Sequence, residues 1–485
     1  MNKPLRRLAI VAALLFGSLF ISTTYIQFIA PASLEKGPRN SRALYKERGK
    51  NRGPIVVGGK AVAESIKVDD EYNYQRKYPI GPLYAHATGA YTVVSDPSGL
   101  ENAANDLLSG TADQLFFHRL SDLFTGKEPQ GATVELTLNA AAQKAAFEAL
   151  GDQRGAVLAI EPSTGKILAM VSKPSYDPNT LATHDEAKAM EARTKLLALK
   201  SHPAVNRAIA GDLYTPGSVF KLVTSAAALS SGKYSPDTTV DGPAQLDLPQ
   251  TSATLPNEWK GACGNGSGRV TLKRALEESC NTAFGAIGLD LGSEALAEQA
   301  GRFGFGRSLR IPMTATPSIF PESPNEPQTA QSAIGQFDVR VTPLQIAMVT
   351  AAIANGGVVM QPTLVNSVKE QDTSVISQTE PRQLGAAISA DVASQLADMM
   401  EGVVTEGTGS NARIDGVRVG GKTGTAEKGL EQAPDVWFTG FAPLDDPQVA
   451  VAVVVEDGGD QGKEGSGNGT AAPVARKVIE AVLGR

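Results

Sequence analysis

The stretch YTPGSVFKLVTSAAALSSG, residues 214–232, sets Ser218 and Lys221 at an i, i+3 spacing directly behind a Pro-Gly pair. On a helix these positions are surface neighbours, so a hydroxyl and an amine can meet there. A neutral lysine amine can take the proton of a serine nucleophile, and burial favours that neutral form. The unpaired amides of a helix start would also face any oxyanion formed on an attacked carbonyl. These residue types imply serine acyl transfer without histidine. The bland alternative is a helix cap followed by a lysine that snorkels to solvent. Ser-x-x-Lys occurs at Ser33, Ser163, Ser218 and Ser230. Only the copy at Ser218 has a helix-start setting. Thr215 is the expected cap, Pro216 suits the first turn, and Val219, Leu222, Val223, Ala226 and Ala227 form a buried stripe.

Two other motifs could complete a site. ESCNTAF supplies Ser279 and Asn281, although Ser-x-Asn also occurs at Ser323 and Ser466. GGKTGTAE supplies Lys422, Thr423, Gly424 and Thr425 on a predicted strand, and Lys-Thr-Gly occurs nowhere else. A cation flanked by hydroxyls is a suitable receptor for a carboxylate. The glycines are expected to let a ligand lie against the strand edge. His86, His118, His184 and His202 stand in no triad-like motif, and neither a metal nor another cofactor is expected.

These residues need a scaffold. NAAAQKAAFEALG reads as an alanine-rich helix closed by Gly151, and GAVLAIEPSTGKILAMVS as paired strands around a Pro-Ser-Thr-Gly turn. GVRVGGKTGTAE, DVWFTGFAP and VAVAVVVE give further strands, and Val474, Val478, Ala481 and Val482 mark one face of a final helix. Strands at both ends with helices between them indicate an α+β fold: an antiparallel sheet covered by helices, with a helical insert. Residues 458–469 read as a flexible polar loop. Ahead of this region the pattern is irregular. GPIVVGG and AYTVVSD look like strands and residues 107–124 like a helix, which makes a small α+β module without evident chemistry.

The chain has 485 residues, 42% hydrophobic and 20% charged, with a net charge of -6. That composition supports a sizeable core and, lacking clustered Lys and Arg, points away from nucleic acid. Residues 8–30 are apolar and uncharged, long enough as a helix to cross roughly 30 Å of hydrocarbon. Lys3, Arg6 and Arg7 before them predict a cytoplasmic N-terminus and a single-pass anchor, with nearly everything after it outside the cytoplasm. A cleaved signal peptide ending in the small residues at 30–32 is the competing reading. The only cysteines, Cys263 and Cys280, then lie on the oxidising side and are expected to pair; separate buried thiols are the alternative.

In their order along the chain, Ser-x-x-Lys, Ser-x-Asn and Lys-Thr-Gly form the set shared by penicillin-binding proteins and class A β-lactamases. RGAVLAIEPSTGKILAMVSKPSYDPN, NRAIAGDLYTPGSVFK, VTPLQIAMVTAAIANGG and VTEGTGSNARIDGVRVGGKTGTAE resemble the transpeptidase domain of class B penicillin-binding proteins. PRNSR and RGPIVVGGKAVAES are similar to that family's N-terminal module, although Val57, Gly58, Gly59 and Lys60 replace its acidic-basic turn. TGAYTVV, FTGKEPQGATVELTLN and SCNTAF resemble its actinobacterial branch, whereas IGQFDVRVTP departs from the Gly-Gln-Gly usual in the wider family.

The resemblance implies a cytoplasmic tail 1–7, a signal-anchor 8–30, a non-catalytic dimerisation or pedestal-like module 31–132, and a penicillin-binding, β-lactamase-like transpeptidase domain 133–485. It implies a D,D-transpeptidase at a bacterial cell membrane that acts on the D-Ala-D-Ala end of peptidoglycan stem peptides. Ser218 would be the nucleophile, Lys221 its base and Ser279 a proton relay. Asn281 would hold the donor's amide, and Lys422, Thr423 and Thr425, around Gly424, would bind the terminal carboxylate. The amides of Ser218 and Thr425 would form the oxyanion hole, and β-lactams would acylate the same serine. A SEDS-type glycosyltransferase or a division protein fits as partner. The alternatives are a D,D-carboxypeptidase or a non-catalytic component of a wall-building complex. A class A β-lactamase is disfavoured, because no Glu-x-x-Leu-Asn follows the Ser-x-Asn.

Overall fold

A computed structural model describes residues 3–26, 48–115, 128, 130–371, 373–429 and 431–485. They fall into two compact units, Met1–Asn51 with Ser65–Gln75, and Arg52–Glu64 with Arg76–Arg485. In the first unit Lys3–Thr24 is a helix of 22 residues, about 33 Å long, with no buried side chain. Among the described residues it is the one helix long and apolar enough to cross a membrane. It starts inside the basic flank rather than at residue 8, since Lys and Arg are good helix formers. The expected end at residue 30 lies outside the described residues, as do PRNSR, Ser33 and His118.

The second unit is organised by an antiparallel sheet in the order Gly420–Ala426, Asp435–Ala442, Val449–Val455, Gly155–Ile160 and Ile167–Lys173. Side chains along a strand alternate between faces, so each strand feeds both sides of the sheet. Val157, Val451 and Val453 pack with Ala142, Ala146, Val474 and Val478 of the helices Ala140–Leu150 and Ala472–Val482. Leu158, Ala450 and Ala452 share the opposite core with Ile346 and Val349 of the helix Pro343–Ala354. Covered on both faces, the three inner strands are buried at every position. The buried face of the last helix is Val474, Ala475, Val478 and Ile479, whereas Ala481 and Val482 of the expected stripe are only half-buried.

A second sheet places Val375–Gln378, Val365–Lys369, Thr133–Leu136, Ile55–Val57 and Lys60–Lys67 side by side in that order. The early module therefore borrows strands from far along the chain. Gly58 and Gly59, with φ of 54° and 77°, make the tight turn between the paired Val57 and Lys60. Two local expectations fail. Residues 90–96 form no strand, because the amides of Ala90 and Tyr91 are taken by Ser98 Oγ and Tyr78 Oη instead of a neighbouring chain. The helix expected at 107–124 is instead the short Asn105–Leu108, ended near Gly110 at φ 73°, and a 3-10 turn at Asp113–Leu115; residues 116–124 lie outside the described ones. The polar loop at 458–469 is also more ordered than expected. A 3-10 segment Glu456–Glu464 and a turn Gly467–Ala471 pack it so closely that a Cβ on Gly467 would lie 2.4 Å from Trp437 O.

Arg52 and Arg76 converge on the fully buried Glu101 at 2.8 and 2.6 Å. Burial raises the Glu101 pKa, but the two guanidiniums outweigh it, and the carboxyl titrates below its ordinary value. Removing the acid would strand two buried cations. Glu101→Gln is expected to cost about 3–5 kcal/mol. The check is the denaturant midpoint of the full chain in detergent, against the exposed control Glu148→Gln. Equal midpoints for the two variants would refute the triad's importance.

Candidate active site

Ser218 lies in a 3-10 turn, Gly217–Phe220, that runs straight into the helix Lys221–Ser230. Thr215 is not its cap, and no side chain caps this start. Thr215 instead ties the turn sideways: its hydroxyl accepts from Arg340 Nη1 at 3.1 Å, and its carbonyl from Trp437 Nε1 at 3.1 Å. The preceding Tyr214 exchanges two backbone hydrogen bonds with Val341 and donates its hydroxyl to Glu456 Oε1 at 2.7 Å. Glu456 also binds Arg207 at 2.8 Å and Arg154 at 2.6 Å, so one nearly buried carboxylate anchors the nucleophile's turn to the sheet. Gly217, at φ 54°, admits the strand that bears Lys422: a Cβ there would lie 2.5 Å from Thr425 O.

Ser279 is placed by a helix end. The helix Leu272–Glu277 closes with Cys280 N donating to Ala275 O at 2.8 Å and Ser279 N to Leu276 O at 3.2 Å. That pair of bonds requires a left-handed residue, a position glycine usually fills. Ser279 takes it at φ 61°, which holds its carbonyl and hydroxyl toward the same lysine. Asn281 then opens the long helix Asn281–Arg302.

Both lysines are fully buried. Lys221 Nζ lies 2.6 Å from Ser279 O, 2.7 Å from Asn281 Oδ1 and 3.2 Å from Ser279 Oγ. Lys422 Nζ donates to Ser279 Oγ at 2.9 Å and to Thr423 O at 2.9 Å. Burial, reinforced by the neighbouring Lys422, drives the Lys221 amine well below its ordinary pKa. Burial lowers Lys422 to about 7, opposed by Glu258. A neutral Lys221 amine has two N–H bonds. The carbonyl oxygens of Ser279 and Asn281 use both, so its lone pair is left to receive a hydroxyl proton.

Ser218 and Thr425 line a cleft of about 460 Å³ together with Asn281, Glu258 and Phe337. Thr423 turns its hydroxyl to Thr408 Oγ1 at 2.7 Å. At Gly424 the protein itself uses the space that the missing side chain leaves. A Cβ there would lie 3.1 Å from both Pro216 O and Val219 Cγ1, so the glycine admits the nucleophile's turn. Cys263 and Cys280 are joined by a disulfide that seats the Ser279–Asn281 segment against Gly242. The other described motif copies do not line this cleft. Ser163 sits in an exposed hairpin turn, Ser230 is the exposed last residue of its helix, Asn325 caps the helix Glu326–Ala333, and Asn468 binds Asn411. His86, His184 and His202 do not line the cleft. Sequence reasoning missed Thr408, Tyr214 and Glu456. Of these, Tyr214 and Thr408 carried a signal, as parts of the NRAIAGDLYTPGSVFK and VTEGTGS stretches quoted for their resemblance.

A serine on a tight turn, a fully buried lysine three residues on and a second buried lysine on an edge strand fit a serine acyltransferase. Residues 155–480 match the family described as the penicillin binding protein transpeptidase domain. Residues 52–134 match the penicillin binding protein A dimerisation domain. The chain is 43% identical to the peptidoglycan D,D-transpeptidase PbpA of Mycolicibacterium smegmatis, over 100% of this chain and 99% of the relative. It is 39% identical to the protein of that name from Mycobacterium tuberculosis, with the same coverage. Its fold is similar to that of penicillin-binding protein A from M. tuberculosis in a ceftriaxone acyl-enzyme complex, with a TM-score of 0.86 and 40% identity over 90% of this chain and 99% of that one. The chain belongs to the penicillin-binding protein transpeptidase family.

Two outcomes test this geometry. An anionic ligand needs Lys422 charged and Lys221 neutral, so acylation by a β-lactam should fall as pH rises through about 7, where Lys422 loses its proton. Lys422→Arg keeps the charge at every pH, and its profile should lack that falling limb; persistence of the limb in this variant would assign it to another group. The disulfide is read by mass. Denatured, unreduced protein should take up no alkylating reagent until it is reduced, and uptake before reduction would mean free thiols.

Proposed function

We propose that this protein is a peptidoglycan D,D-transpeptidase that works through an acyl-enzyme on Ser218 and is inhibited by β-lactams. The observation that carries the reading is the convergence of Lys221, Ser279 and Lys422 beside the cleft lined by Ser218 and Thr425. The names of the mycobacterial relatives support it, as do the ceftriaxone, imipenem and penicillin G acyl-enzymes of M. tuberculosis penicillin-binding protein A.

In this reading Lys422, Thr423 and Thr425 hold the carboxylate of a D-Ala-D-Ala end, and Asn281 the donor's amide. Ser218 Oγ attacks the penultimate carbonyl carbon while its proton passes to the lone pair of Lys221. The amides of Ser218 and Thr425 receive the oxyanion. Ser279 Oγ, between the two amines, carries a proton to the departing D-alanine nitrogen as the peptide C–N bond breaks. The amine of a second stem peptide then attacks the ester, forms the new amide and returns the serine's proton. The disulfide supports this arrangement by fixing residues 279–281.

The same reading assigns 1–7 to a cytoplasmic tail, 8–30 to a single membrane anchor, 31–132 to a non-catalytic dimerisation module and 133–485 to the extracytoplasmic catalytic domain. The apolar N-terminal helix supports the anchor. A membrane glycosyltransferase of the SEDS type or a division protein is the proposed partner.

The test is labelling with a fluorescent penicillin and location of the labelled peptide. Ser218→Ala should abolish labelling, whereas Ser230→Ala should retain it. Lys221→Arg should slow acylation about a hundredfold or more, because arginine stays protonated and cannot act as a base. Full labelling of Ser218→Ala would overturn the nucleophile. Release of only free acid from a donor peptide, with an amine acceptor present, would make the enzyme a carboxypeptidase.

A further inference from the structure

We propose that Phe337 is a specificity-determining residue: held in a left-handed backbone conformation, its ring forms the wall against which the cleft seats the apolar part of the acyl group delivered to Ser218. Phe337 has φ 58°. The other described non-glycine residues with positive φ are Asn, His, Gln, Lys, Ser, Thr or Asp, so Phe337 is the one large apolar residue among them. A bulky side chain there is a steric outlier, and such strain persists where surrounding structure imposes it, commonly at functional sites. The imposing contacts are visible. Arg340 Nη1 donates to the carbonyls of Phe337 at 2.7 Å and Val339 at 3.0 Å, and the same nitrogen reaches Thr215 in the nucleophile's turn. The loop is thus locked to Ser218's own support.

Fold stability does not account for the ring. Phe337 is only half-buried and belongs to none of the hydrophobic clusters of the described residues. It lies instead in the cleft with Ser218, where Ile334, Leu255 and Pro256 are its apolar companions. In the transpeptidase reading Thr425, which also lines the cleft, and Lys422 and Thr423 on the same strand receive the ligand's carboxylate. A ligand that fits both ends carries a carboxylate on the leaving side and an apolar group on the acyl side. That chemistry is shared by a stem peptide with an aliphatic side chain before its D-alanines and by a β-lactam with an aromatic acylamino group.

The inference rests on the transpeptidase reading, so the experiment separates the two. Acylation rate constants are measured on the full chain in detergent with benzylpenicillin and with 6-aminopenicillanic acid, which share a nucleus and differ in the aromatic group. Phe337→Asn and Phe337→Gly, both at ease with positive φ, should lower the benzylpenicillin preference about threefold to tenfold. The 6-aminopenicillanic acid rate and the Tm should be maintained, and Phe337→Tyr should keep the preference. An unchanged preference would overturn the proposal. So would a parallel loss of both rates with a lower Tm, which would make Phe337 a packing residue. Failure of both compounds to acylate the unsubstituted protein would refute the underlying reading of the cleft, and this proposal with it.

Discussion

The site is governed by a single electrostatic constraint: two fully buried lysines share one hydroxyl, Ser279 Oγ, at 3.2 and 2.9 Å. Two full charges so close in a poorly solvated interior repel strongly, so at least one amine must be neutral. Both lose affinity for protons through burial and Glu258 opposes that loss at both, but Lys221 alone is pushed down further by its neighbour's charge. Environments that drive two like groups apart in pKa assign them different tasks. Here the more depressed amine suits a base and the other a carboxylate receptor. A bound carboxylate would stabilise the charge on Lys422, which in turn opposes protonation of Lys221. Ligand binding and activation of the base are then linked through one contact.

Such a pair works only where water is excluded and the positions are fixed, and the surrounding elements meet that demand by close backbone approach. Gly217 lies against Thr425 O, Gly335 against Gly217 O, and Gly424 against Pro216 O. Any Cβ at these places would push apart the nucleophile's turn, the following loop and the strand of Lys422. Glu456 holds the turn from beneath through Tyr214, and the disulfide holds the opposite wall at Cys280. Thr408 closes the arrangement, since its hydroxyl meets Thr423 while its amide donates to Glu277 O at 3.2 Å, next to the helix end that carries Ser279.

Much of this was legible in the sequence because it depends on short-range spacing. Ser218 and Lys221 share a helix start, Ser279 and Asn281 bracket a helix boundary, and four strands of the main sheet stand out as apolar-rich segments, the fifth being read from GVRVGGKTGTAE. What escaped depends on partners distant in the chain. Glu456 looks like any acid at a strand end until Tyr214, Arg207 and Arg154 arrive from elsewhere. Composition marks Gly424 as permissive but does not say which atoms approach it, and here they include Pro216 O and Val219 Cγ1 of the nucleophile's turn. Residues 90–96 have strand-like residues, yet side-chain hydroxyls took the amides a ladder would need. The second sheet was hidden for a topological reason. Val365–Lys369 joins Thr133–Leu136 across more than two hundred residues, and local periodicity carries no information about such pairing.

The places where sequence rules fail cluster around the chemistry. Serine stands at position 279, where a helix end calls for glycine, and phenylalanine at 337 adopts a backbone conformation natural to glycine or asparagine. Lys221 and Lys422 are buried although lysine is ordinarily a surface residue. Each departure costs stability, and each puts a hydroxyl, a ring or an amine where a relaxed residue could not. Local rules are broken at functional sites and compensated elsewhere, and the compensation here is identifiable: an inner sheet buried at every position on three strands, with helices on both faces. A rigid, over-determined sheet can carry strained residues at its edge. The reactive elements accordingly sit on and beside the edge strand Gly420–Ala426, not in the middle of the sheet.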